Sequence, residues 1–143
     1  MLGPRSSLLA VLALAAALGS HASAARADLM TACASEVGRF CADVSRGRGR
    51  ISACLAGHMN ALGPACLPEV QAVARGRLVP RDVRKIFNPA FRAPLPQACV
   101  VPAAQVCPGV PTGDGRIFAC LYAREDRIGA TCSAAAQATL KAN

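Results

Sequence analysis

Between residues 30 and 62 the apolar side chains recur every three or four positions, the spacing that gathers them on one side of an α-helix. Met30, Cys33, Val37, Phe40, Cys41 and Val44 follow this rule, and Ile51, Cys54, Leu55, Met59 and Leu62 follow it again after a break. The break is Ser45-Arg46-Gly47-Arg48-Gly49, where two nearby glycines weaken a helix and open positive-φ backbone. The pattern therefore predicts two helices folded back on one another as a hairpin. Leu62-Gly63-Pro64 predicts the end of the second helix and the start of a third, since proline is accepted in a first helical turn.

The same pattern is written a second time. Cysteines stand at 33, 41, 54 and 66 and again at 99, 107, 120 and 132, each 66 residues after its counterpart, so the frame C-x7-C-x12-C-x11-C is an internal repeat. Overlaying the two frames without a gap adds Val44/Val110, Gly47/Gly113, Gly49/Gly115, Arg50/Arg116, Ile51/Ile117, Ala53/Ala119, Leu55/Leu121 and Gly63/Gly129. The second copy breaks at Pro111-Thr112-Gly113-Asp114-Gly115, where Asp114 is suited to cap the following helix, and Ile128-Gly129 marks the later corner. Pro102 falls within the first helix of this copy and leaves that helix's start open.

Ahead of the repeats, Arg5 precedes an apolar or small-residue run from Leu8 to Gly19, and Ala22-Ser23-Ala24 and Ala25-Arg26-Ala27 offer small-x-small cleavage sites. Residues 1–27 read as an export signal cleaved after Ala24 or Ala27. A membrane anchor is the competing reading, but this run has 12 residues where a bilayer-spanning helix needs about 20, and no later segment is longer. An even number of cysteines behind such a leader predicts an oxidising destination, periplasmic or secreted, and four disulfides. Zinc sites close short chelate loops, whereas no two cysteines here are nearer than eight positions, and a redox-active C-x-x-C is absent. In an antiparallel hairpin Cys41 and Cys54 sit together beside the turn, and Cys33 and Cys66 meet at the open end. The predicted bridges are thus Cys33 to Cys66, Cys41 to Cys54, Cys99 to Cys132 and Cys107 to Cys120, one of 105 formal connectivities for eight cysteines.

Composition explains why cross-links matter. Of 143 residues 53% are hydrophobic, yet four are Phe and one is Tyr, and the excess is mostly alanine, so each buried position removes little apolar area from water. The fold class expected is all-α: two disulfide-stapled repeats of about three short helices each, residues 28–75 and 98–143, joined by a basic linker, residues 76–97, with a short helix. The full chain carries a net charge of +8, and without Arg5 and Arg26 of the leader it remains basic.

The linker region holds most of the remaining individuality. Arg75, Arg77, Arg81, Arg84, Lys85 and Arg92 face a single acid, Asp82, while Val79, Val83, Ile86 and Phe87 define an apolar side with Arg81, Arg84 and Lys85 outward. One reading is a docking helix with a solvated face. The other is a patch for anionic lipid headgroups or acidic glycans made of Arg46, Arg48, Arg50, Arg77, Arg81, Arg84 and Lys85. Specific nucleic-acid binding is disfavoured by the shortage of aromatic rings for stacking.

Catalytic chemistry finds little support. His58 is the only histidine outside the leader and its counterpart is Arg124, so it reads as an exposed helix residue rather than a ligand or base. Arg50 and Arg116 recur at the start of the second helix; one reading is an anion held by them together with backbone amides, and the favoured one is a brace for the turn. Glu36, Asp43 and Glu69 correspond to Pro102, Gly109 and Ala135, so no carboxylate site repeats. The Gly-x-Gly turns lack the strand and third glycine of a dinucleotide fingerprint. No enzyme, metal or cofactor is expected.

The frame, together with Cys41-x-x-Val44, Gly47-x-Gly49-Arg50-Ile51 and Cys54-Leu55, and again Cys107-x-x-Val110, Gly113-x-Gly115-Arg116-Ile117 and Cys120-Leu121, resembles the cysteine-rich repeat of the Golgi apparatus protein family. Those proteins are also described as cysteine-rich fibroblast growth factor receptors and E-selectin ligands. The animal members carry many repeats, a transmembrane segment and glycans; here there are two repeats and no Asn-x-Ser/Thr sequon, so growth-factor and selectin binding are not carried over. The resemblance implies a binding or structural module of the export pathway. An alanine-rich chain with 14 Arg against two Lys further suggests a bacterial, periplasmic setting, with a protein or an anionic envelope component as partner. Nothing in the sequence sets an oligomeric state.

Overall fold

The computed structural model describes residues 29–76, 79–88 and 90–143, with only the helical backbone at 74 and 75. The leader assigned to residues 1–27 lies outside the described residues, as does Arg77. The fold is helical: α1 (Ala34–Phe40), α2 (Arg50–Gly57), α3 (Cys66–Arg75), α4 (Val100–Val106), α5 (Gly115–Ala123) and α6 (Gly129–Ala142). Among the described residues the sole strand-like pairing is an isolated bridge between Arg92 and Asp114. Short 3₁₀ turns complete the path at Met59–Ala61, Val83–Phe87 and Gln97–Cys99.

The hairpin turn forms where two glycines accept left-handed backbone. Gly47 and Gly49 have φ of 104° and 73°, and the intervening Arg48 is also drawn to positive φ at 50°. The first helix ends at Phe40 rather than continuing to Val44, because Cys41 leaves helical geometry at φ −130°. Val44 still reaches the core, in a turn closed by its amide donating to the Cys41 carbonyl at 3.1 Å. Helix α2 likewise stops at Gly57, so Met59 lies in a 3₁₀ turn and Leu62 in extended backbone instead of on the helix face. In the second copy Pro102 is the third residue of α4, within the first turn, where amides have no intrahelical partner to lose. Asp114 caps α5 by accepting the Arg116 amide at 2.9 Å.

Four disulfides staple these helices. They join Cys33 to Cys66, Cys41 to Cys54, Cys99 to Cys132 and Cys107 to Cys120, with Cα separations of 4.6, 6.0, 4.8 and 6.0 Å. Both frames therefore close the same long and short loops, and no cysteine is free.

The core lies where α2 packs on α5. Ala53, Cys54, Leu55 and Ala56 are buried against Ile117, Phe118, Ala119, Cys120 and Leu121. Small side chains let the helices approach closely: a Cβ placed on Gly57 would stand 3.3 Å from the Arg116 carbonyl oxygen and 3.4 Å from the Cys120 Cβ. The end of α2 thus meets the start of α5. Conversely, Tyr122 near the end of α5 donates from its hydroxyl to the Arg48 carbonyl at 2.8 Å. The two helices run antiparallel, and positions 66 residues apart fall at opposite ends of one approximately two-fold seam.

The basic segment is part of this body. Val79, Val83 and Ile86 are buried, Phe87 is half-buried, and the Val83–Phe87 turn packs on α5. Phe91 adds an edge-to-face contact with Phe118, their ring centroids 5.7 Å apart. At Gly115 the chain comes closest: a Cβ there would lie 2.2 Å from the Ile86 carbonyl oxygen. The apolar face read from the sequence is therefore used for docking, although in a 3₁₀ rather than an α-helical turn.

Candidate functional site

The two ends of the α2–α5 seam differ chemically. At one end the first hairpin turn meets the last turn of α5. Glu125 Oε1 lies 3.1 Å from Arg48 Nη1 and 3.8 Å from Arg50 Nη1. Arg124, only 6% exposed, donates to both Asp43 carboxylate oxygens at 2.9 and 3.2 Å and to the Phe40 carbonyl at 2.8 Å, and its Nη1 lies 3.3 Å from Cys120 Sγ. Arg127 also pairs with Asp43. Hydrogen bonds from Arg124 hold the Asp43 carboxyl below its ordinary range against the opposing effect of burial.

This end locks the repeats together. Replacing Arg124 with Met should cost about 2 kcal/mol in urea unfolding, because the Phe40 carbonyl loses its charged donor and Asp43 its principal partner. Asp43→Asn should cost less than about 1 kcal/mol, since that side chain is 45% exposed and water replaces the lost charge interaction. Equal losses in the two variants would contradict this division.

The opposite end is a cleft of about 510 Å³. Met59, Asn60 and Gln71 line it from the first repeat, Ile86, Phe87, Asn88 and Arg92 from the linker region, and Asp114 to Arg116 from the second hairpin turn. Arg116 grips Asp114 through Nε at 2.9 Å and Nη2 at 2.7 Å, leaving Nη1 outside that bridge. Burial raises the Asp114 carboxyl, but the Arg116 hydrogen bonds outweigh it and hold the acid below its ordinary value. The cleft therefore combines an ionised carboxylate, the two guanidiniums of Arg92 and Arg116, side-chain amides and an apolar wall.

The anion-binding candidates occupy several environments. Arg48 and Arg50 are engaged with Glu125, and Arg50 Nε is buried without a hydrogen-bond partner among the described residues. Lys85, expected to point outward, is half-buried and donates to the Leu140 carbonyl at 2.7 Å, where its charge suits the C-terminal end of α6. Arg84 is half-buried, while Arg46 and Arg81 are exposed. The hairpin-turn arginines and Lys85 thus have different neighbours. Arg116 braces its turn through Asp114, whereas Arg50 braces its own through the Arg46 carbonyl at 3.4 Å.

His58 is not an exposed helix residue. It is half-buried at the C-terminal cap of α2, its ring stacked on Phe40 at 4.5 Å between centroids and 9° between planes. Burial, with repulsion from Arg124, lowers its pKa below the ordinary histidine value. The folded protein consequently prefers neutral His58. Its contribution is complete above about pH 6.5 and is lost as pH falls through the depressed folded-state pKa. A His58→Gln variant should flatten that part of the stability curve; an unchanged slope would show that another group is responsible.

A family model described as a cysteine rich repeat, that of the cysteine-rich FGFR repeat family, matches residues 23–63. That repeat takes in Cys33, Cys41 and Cys54, the first hairpin turn and the residues up to Gly63. No curated protein and no solved structure matches the chain. The polar seam and the cleft each draw on the matched span, through Asp43, Arg48 and Arg50 and through Met59 and Asn60, and on residues outside it. Their sequence signal was the asymmetry of the overlay: His58 against Arg124, Met59 against Glu125, and Arg48 against Asp114.

Proposed function

We propose that this chain is an exported, non-enzymatic binding or structural module of the cell envelope. The observation that carries the reading is the consumption of all eight cysteines in disulfides within a small helical body. Such bridges persist in oxidising compartments and are reduced in the cytosol. The match to a cysteine rich repeat and the leader pattern in residues 1–27 point the same way. No helix among the described residues is long and apolar enough to cross a membrane. Paired thiols cannot act as nucleophiles or metal ligands, and the histidine outside the leader serves in packing against Phe40. The test is the intact mass of the protein from its native compartment. A chain shortened by 24 or 27 residues and eight hydrogens lighter than its reduced form supports the reading; a retained leader or alkylatable thiols overturn it.

Exposed Arg46 and Arg81 favour a second reading, in which the basic surface meets anionic lipid headgroups or acidic glycans. Retention on phosphatidylglycerol vesicles should then fall steeply with ionic strength. Salt-independent retention, or none at low salt, would exclude this role.

A further inference from the structure

We infer that the Cys107–Cys120 bridge is a site of reversible thiol exchange, at which a small-molecule thiol joins Cys107 and Cys120 departs as a thiolate held by Arg124. The inference goes beyond the binding-module reading and does not depend on it. Its support is a buried guanidinium that donates to disulfide sulfurs, together with a difference between two equivalent turns.

Arg124 divides its donors between two tasks. Nε and Nη2 serve the Asp43 carboxylate and the Phe40 carbonyl. Nη1 donates instead to sulfur, to Cys120 Sγ at 3.3 Å and to Cys54 Sγ at 3.7 Å. A disulfide sulfur is a weak acceptor, so these hydrogen bonds add little to the oxidised state. A thiolate is a strong acceptor, and a guanidinium beside it favours the charged form. No unpaired cation is needed for this: Asp43 occupies the other nitrogens, is 45% exposed and is shared with Arg127. The ionisable groups around the Arg124 guanidinium are then Asp43, Arg127 and His58, and His58 is neutral at neutral pH because burial and Arg124 itself lower its pKa.

Two features select Cys107–Cys120 over Cys41–Cys54. Arg124 stands closer to Cys120 than to Cys54, and the outer cysteines sit in different turns. Cys41 and Cys107 each follow a seven-residue helix, α1 or α4. Two positions beyond Cys41 stands Asp43, tied to Arg124 and Arg127. Two positions beyond Cys107 stands Gly109, which has no side chain with which to tie the turn. Asp43 also sets a negative charge beside the path of an attacking thiolate, whereas exposed Pro108 and Gly109 set none. Cys107 is 4% exposed, against 1% or less for the other seven cysteines. Exchange thus begins with a local opening of the Cys107 turn.

The chemistry is a thiol–disulfide exchange. The small thiol gives up its proton to solvent, and the resulting thiolate forms a bond to Cys107 Sγ. The Cys107–Cys120 bond breaks, and its electron pair goes to Cys120 Sγ, which keeps the hydrogen bond from Arg124 Nη1. A leaving thiolate of low pKa departs faster, and that is what the guanidinium supplies. Return attack by Cys120 on the mixed disulfide expels the small thiol and restores the bridge.

The experiment treats the oxidised mature chain with rising concentrations of reduced glutathione at neutral pH without denaturant. Free thiols are then trapped with N-ethylmaleimide in denaturant, and the modified peptides are identified by mass. Glutathione on Cys107 with N-ethylmaleimide on Cys120 should appear at least about fivefold faster than the opening of any other bridge. Simultaneous loss of all four bridges, earlier opening of another bridge, or glutathione on Cys120 overturns the inference. Arg124→Met should slow this exchange at least about tenfold even though it weakens the fold, whereas an arginine with a structural role alone predicts faster opening. Where that variant opens all four bridges together, Cys107→Ser decides, because its Cys120 thiol is free and the ultraviolet absorbance of the thiolate can be followed against pH. The thiolate fraction at neutral pH should exceed that of Cys107→Ser with Arg124→Met at least about tenfold. Equal fractions in the two chains overturn the inference.

Discussion

Reduction of the folded protein in the absence of denaturant is expected to unfold it, with loss of most helical circular dichroism at neutral pH and 25 °C. The four bridges close loops spanning 33, 13, 33 and 13 positions, and chain entropy assigns each about 3 to 4 kcal/mol, although such contributions need not add. The total stability of an ordinary domain is only about 5 to 15 kcal/mol. A core in which half of the buried hydrophobic residues are alanine or cysteine has little reserve beyond that: among the side chains buried on α2 and α5 only Leu55, Ile117, Phe118, Leu121 and Tyr122 are large. The single-bridge version of the experiment replaces Cys99 and Cys132 together with Ala. It should lower stability by about 3 kcal/mol or more, as both sulfurs are fully buried and their removal also leaves a small void. Retained helicity and cooperative thermal unfolding after complete reduction would show that packing alone supports the fold.

The second large effect is expected from the addition of one methyl group. Gly115→Ala puts a Cβ 2.2 Å from the Ile86 carbonyl oxygen and 2.9 Å from its carbonyl carbon, both backbone atoms that cannot rotate away. Either the Val83–Phe87 turn lifts from α5 or the start of α5 shifts, and each movement opens the buried contact of Ile86. A loss of about 3 kcal/mol is expected. Gly38→Ala, with nothing within 4 Å of the added atom and a helical position, serves as the control and should be neutral or stabilising. Equal melting temperatures for wild type and Gly115→Ala would mean that the linker does not lie against the second hairpin turn.

What could be read from the sequence and what could not follow from the range of the forces involved. Helix breaks were legible because their chemistry is local. Gly47 and Gly49 supply left-handed backbone, Asp114 supplies a cap, and each acts on neighbours within a few residues. The apolar side of the linker was legible for the same reason, through Val79, Val83 and Ile86. The precise ends of α1 and α2 were not, because Val44 and Met59 continue the apolar period after the helix has stopped. Periodicity shows which side is buried but not whether the backbone remains helical.

The candidate site was harder to foresee because it is made by contacts between distant parts of the chain. Arg124 meets Asp43 across 81 positions, and Glu125 meets Arg48 across 77. The repeat overlay displayed the asymmetries at His58/Arg124 and Met59/Glu125, but not that the second helices pack antiparallel against one another. Once that packing is known, the differences become the two ends of the seam. The burial of His58 was hidden similarly: its partner, Phe40, comes from the preceding helix across the hairpin turn.

The most direct test of a disulfide-stapled, two-frame helical body is a map of its bridges. The native protein is alkylated without reduction, digested at low pH with proteases that cut between every pair of neighbouring cysteines, and the linked peptides are identified by mass. The account predicts Cys33–Cys66, Cys41–Cys54, Cys99–Cys132 and Cys107–Cys120, with no alkylated cysteine. A bridge joining the first four cysteines to the last four, or a stoichiometric free thiol, would contradict it.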